Sequence, residues 1–193
     1  MVELPFPLAT VFGNKEPRPT MRRPELGHCF SVWLDPQFRK NQPHEYDLIR
    51  DCMRTMIGCT NGDVGFEVDA RAEYDLRIIC DGARPNPDGS GNEWYSGLTY
   101  VTERACVVTY AEIVLNPRYV YPKVVNHELG HVLGFMHPDL SGSVMSDLDH
   151  NAPGVAQVDL DAWAWMRGHE PGSLRPGVER GGVAFSAPRV IVD

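Results

Sequence analysis

Residues 127 to 137, His-Glu-Leu-Gly-His-Val-Leu-Gly-Phe-Met-His, carry the side chains and the spacing for metal chemistry. They follow the pattern H-E-x-x-H-x-x-G-x-x-H. Side chains four apart on a helix share one face, so His127 and His131 can aim two imidazoles at one ion. Gly134 can adopt the left-handed conformation that stops a helix and turns the chain back. That reversal brings His137 in as a third nitrogen ligand. Three protein ligands leave one position of a tetrahedral zinc ion open to water, the arrangement of a catalytic site rather than a structural one. Glu128 sits beside a ligand without being one, and its carboxylate is placed to act as general base on that water. Met145 follows eight residues after His137, in Ser143-Val144-Met145, and is expected as an apolar floor under the imidazoles with no bond to the metal. Gly130 would permit close packing beneath them.

These residues resemble the zinc-binding consensus of the metzincin metallopeptidases. The short gap from His137 to Met145 is most similar to the matrixin (matrix-metalloprotease-like) branch. The signature spans residues 127 to 145, and weaker similarity runs from about residue 27 to about residue 170, as in Tyr110-Ala111-Glu112-Ile113-Val114-Leu115-Asn116. The chain departs from the family at Pro138-Asp139 after the third histidine, and at Asp147, where astacins and serralysins have a tyrosine ligand. It also has no clear matrixin cysteine-switch segment.

The resemblance implies an α+β fold, with a twisted mixed sheet and two helices above a cleft and a Met-turn and C-terminal helix below it. The implied activity is zinc-dependent hydrolysis of peptide bonds in extended protein or peptide substrates. The rival expectation is a zinc-binding protein that is latent or non-proteolytic because its cleft is blocked. An extended substrate would add to an exposed strand edge. By resemblance that edge is the strand within Cys106 to Leu115, with Ala111, Glu112 and Ile113 nearest the cleft. Asp147 to Val155 and the zinc helix would wall the pocket for the residue after the scissile bond.

The elements that must position this chemistry are readable in outline. Cys29 to Leu34 alternates and is β-rich, which predicts a first strand with Cys29 buried. Apolar residues at 48, 49, 52, 53, 56 and 57 predict a helix from His44 to Ile57, ended by Gly58. Residues 64–68, 76–80, 98–101 and 106–115 read as strands. Pro122 suits the first turn of the zinc helix, where a missing N–H costs nothing. Asp159 is expected to cap a last helix, Leu160 to Arg167. The organisation expected is an extended arm at 1–27, which could confer latency through Glu3, Glu16 or Glu25, a catalytic domain at 28–170 and a tail at 171–193. Asp88 to Glu93 has oxygen donors and glycines able to wrap calcium, though without EF-hand spacing; an ordinary loop is the alternative.

Composition sets the outer bounds. A chain of 193 residues with 42% hydrophobic and 23% charged residues suits one well-buried globular core. The net charge of −8 argues against a nucleic-acid partner. No apolar run reaches the length of a membrane span, and residues 1–10 do not read as a signal peptide. Five cysteines, at 29, 52, 59, 80 and 106, suit either two disulfides and one thiol in an exported protein or five thiols. The cysteine count and the resemblance together favour a secreted or extracellular location. His28, His44, His150 and His169 lack ligand spacing.

Overall fold

Alternating burial runs along β1 (Cys29–Leu34), where Phe30, Val32 and Leu34 face the core. Cys29 is exposed at the head of the strand, contrary to the burial its apolar neighbours predict. The computed structural model describes residues 20–68, 73–81, 84–85, 92–93, 96–138, 141–146, 154–173 and 189–192. After β1, Asp35 caps a short helix not expected from the sequence, α1 (Pro36–Asn41), by accepting from the Gln37 N–H at 2.9 Å. Helix α2 (Pro43–Cys59) buries Ile49, Cys52, Met53, Met56 and Cys59, the expected stripe. It ends one residue past Gly58, and Gly62, at φ 79°, makes the turn into the next strand.

Strands β2 (Gly65–Val68), β3 (Leu76–Cys80), β6 (Gly97–Arg104), β7 (Val107–Leu115) and β8 (Arg189–Val192) join β1 in one sheet, ordered β2-β1-β3-β7-β6-β8. A separate two-stranded ribbon pairs β4 (Arg84–Pro85) with β5 (Asn92–Glu93). Parallel pairing links β2, β1, β3 and β7, while β6 is antiparallel to both β7 and β8. Ala105 and Cys106 both take positive φ, at 51° and 64°, and make the two-residue hairpin between β6 and β7. Cys106 is therefore a turn residue rather than the start of a strand.

The core lies between one sheet face and the helices. Phe30, Ile78, Ala111 and Ile113 pack with Met53 and Met56 of α2 and with Val125 and Leu129 of α3 (Pro122–Leu133). The last helix, α4 (Gln157–Arg167), is anchored by Trp163, whose indole N–H donates to Asp63 at 3.1 Å and whose ring meets Phe135 edge-on. Within the segment expected as an arm, residues 21–23 are buried and belong to the domain. Met21 and Ser173 share a backbone hydrogen bond, and Arg23 bridges to Val107 beside the hairpin. All five cysteines are free thiols. No described helix is long and apolar enough to cross a membrane.

Candidate metal centre

Pro122 opens α3 in its first turn, as expected, and the helix ends where Gly134 takes φ 100°. A side chain at Gly134 would strike the carbonyl oxygen of Arg22 and lie 3.0 Å from its carbon. Glycine is thus required twice over, by conformation and by space. The reversal turns Phe135 and His137 back beneath the helix, and all three histidines are buried.

Their ring nitrogens converge. Nε2 of His137 is 3.0 Å from Nε2 of His127 and 3.0 Å from Nε2 of His131. Nitrogens bound to one tetrahedral zinc at about 2.0–2.1 Å would stand roughly 3.3 Å apart, so the spacing fits a shared ion. Each helical histidine is backed by a main-chain carbonyl: Nδ1 of His127 meets Val144 O at 2.9 Å, and Nδ1 of His131 meets Phe135 O at 3.0 Å. A carbonyl only accepts, so both Nδ1 atoms carry the proton and both Nε2 lone pairs face inward. Among the described residues these three form the one cluster of potential metal ligands.

Glu128, the residue after His127, is buried against β6. The Thr99 hydroxyl donates to Oε2 of Glu128, and Oγ1 also lies 3.3 Å from the Glu128 carbonyl oxygen. A Cβ at Gly97 would stand 2.7 Å from Glu128 Cγ and 2.8 Å from Cδ. Met145 is fully buried, with its sulfur packed where Gly130 lacks a side chain. Gly130 therefore serves the close approach expected of it.

Asp159 does not cap α4 from outside, as the sequence suggests; it is the third residue of the helix. Its buried carboxylate accepts from Ser143 Oγ at 2.6 Å, Val144 N at 3.0 Å and Ala156 N at 2.8 Å. The Ser143 hydroxyl in turn accepts from Met145 N at 3.0 Å. α4 thereby holds the turn that supplies both the carbonyl behind His127 and the methionine under Gly130. An acid in the first turn of a helix is a weak sequence signal, and nothing local links it to residues 143–145.

Ala111, Glu112 and Ile113 do not form the expected edge. β7 is internal, paired to β3 on one side and β6 on the other, so its backbone groups are already engaged. Ala111 and Ile113 are buried in the core, and the Glu112 carboxylate pairs with Arg77 at 3.1 Å. The strand next to Glu128 is β6, whose outer edge pairs with β8: Leu98 with Val192, Thr99 with Ile191, Tyr100 with Val190 and Val101 with Arg189.

Of the expected pocket wall, Gly154 and Val155 are described and line a cavity of about 530 Å³ with Asn126 of α3 and Cys52 of α2. Asp139, residues 147–153 and most of the Asp88–Glu93 loop lie outside the described residues. Burial pushes the Cys52 and Cys59 thiols up to about 12, and neither belongs to the three-histidine cluster.

No protein-family model and no curated protein matches the sequence. Among solved structures, the chain is similar to high choriolytic enzyme 1, a hatching enzyme zinc-protease from Oryzias latipes (medaka fish), at 14% identity over 74% of this chain and 90% of that one, with a TM-score of 0.46.

Proposed function

We propose that this protein is a zinc-dependent endopeptidase of the metzincin kind, matrixin-like in the spacing of its third ligand and Met145. The observation that carries the reading is the convergence of three buried Nε2 atoms from His127, His131 and His137, with Glu128 following the first of them in the chain. His127, His131 and His137 would hold the metal. Zinc, when bound, supplies a Lewis acid that polarises the scissile carbonyl and makes water more acidic. Glu128 takes the proton of the attacking water and delivers it to the departing amine, so no covalent acyl-enzyme forms. Met145 packs as an apolar floor below the ligands, and Asp159 holds that floor in place. An extended peptide would pair along the outer edge of β6 in the place that β8 takes, with Ala111 to Ile113 one strand further in, supporting β6 rather than touching substrate.

The pairing of β8 with β6 favours a second reading, a zinc protein whose cleft is closed by its own tail. One experiment separates the two. Cleavage of a diverse peptide library is read by mass spectrometry for the zinc-loaded chain, for Glu128→Ala, and for a chain ending at residue 188. Cuts by the full chain that vanish in Glu128→Ala support the endopeptidase. Cuts by the shortened chain alone indicate latency. With zinc bound and no cuts by either chain, the peptidase reading falls.

A further inference from the structure

β6 alternates as a strand must. Leu98 and Tyr100 cluster with Ile79 and Val114 on one face, while Gly97, Thr99 and Val101 face the helices. On that inner face Gly97 and Thr99 stand two residues apart, and both meet one side chain, Glu128. Thr99 is fully buried, so its hydroxyl has no water to satisfy it. Its single proton goes to Oε2, a charge-assisted bond stronger than one to a neutral carbonyl. Gly97 contributes by what it lacks, since any Cβ there would displace the carboxylate.

We propose that Thr99 is the positioning residue for the general base: its hydroxyl fixes one oxygen of Glu128 while Gly97 leaves room for the carboxylate to lie against β6. A glutamate side chain has three rotatable bonds. One held oxygen and one steric seat are enough to select a single orientation of its carboxylate. The catalytic consequence rests on the endopeptidase reading; the positioning itself does not.

The test uses Thr99→Val, which keeps the branched shape without the hydroxyl, and Thr99→Ser, which keeps the hydroxyl. In the full zinc-loaded chain, Thr99→Val is expected to lower kcat by about 10- to 100-fold with KM and zinc content unchanged. Thr99→Ser is expected to recover most of the loss. A residue that merely filled space would show the opposite order, with valine tolerated and serine damaging. Crystal structures of the zinc-loaded wild type and Thr99→Val give a readout that needs no turnover: the Glu128 carboxylate should change or split its rotamer. An unmoved carboxylate, or equal losses in the two variants, would overturn the proposal. Should neither the wild type nor the chain ending at residue 188 cleave anything while the carboxylate still moves in Thr99→Val, the endopeptidase reading fails and the positioning role stands.

Discussion

Asp159 shows how far the work of a site extends beyond the atoms that touch it. A fully buried carboxylate is costly unless its lone pairs are taken, and here three donors take them. Two of those donors belong to the turn that orients His127 and carries Met145. Asp159→Ala would leave the Val144 and Ala156 N–H groups and the Ser143 hydroxyl without their acceptor. We expect a stability loss on the order of 3 kcal/mol, read as a shift of the denaturant midpoint at constant m. Zinc affinity should fall as well, because the carbonyl behind His127 loses its anchor. At this scale the three-histidine cluster is legible in the sequence, since one helical repeat and one glycine bring His127, His131 and His137 together. Thr99, Gly97 and Asp159 are not. Their partners lie 29, 31 and 16 residues away, and no local periodicity connects them.

Among the elements, helix α3 and its end at Gly134 follow from local rules, and so do β1, β3 and most of α2. The neighbours of a strand do not. Val107 to Leu115 is β-branched and apolar enough to serve at an edge or inside a sheet, and only non-local pairing decides that it lies inside. The resemblance therefore took for an edge a strand that lies inside the sheet. The helix end supplies the sharper prediction. Gly134→Ala would impose a left-handed conformation on a residue with a Cβ and drive that Cβ into Arg22. The conformational part alone costs about 1–2 kcal/mol. Because His137 follows directly, zinc affinity should weaken by at least about tenfold, roughly 1.4 kcal/mol, in a competition titration against a chelator. An alanine variant that kept wild-type affinity would show that the reversal does not depend on Gly134.

For the whole molecule, the buried segment at 21–23 is the feature with the widest reach. Arg22 lies against the reversal at Gly134, and its guanidinium reaches Met136 Sδ at 3.9 Å, 114 residues away in sequence. Arg23 donates to the Met166 carbonyl at 3.2 Å and pairs with Val107, so one short stretch touches the hairpin, the helix end and α4 together. We expect contacts this distant to form late in folding, because the entropy of closing a long loop must be met first. The helical pair His127 and His131 can form with α3 itself, whereas His137 settles only when the early residues have come home. Metal capture should then lag secondary structure during refolding. Stopped-flow circular dichroism should rise first, and the signal of a zinc-sensitive dye should fall in a later phase that Arg22→Ala slows. The three-histidine cluster would then act as a clock for the last step of assembly, because the ion can be held tightly only once both ends of that long loop have met.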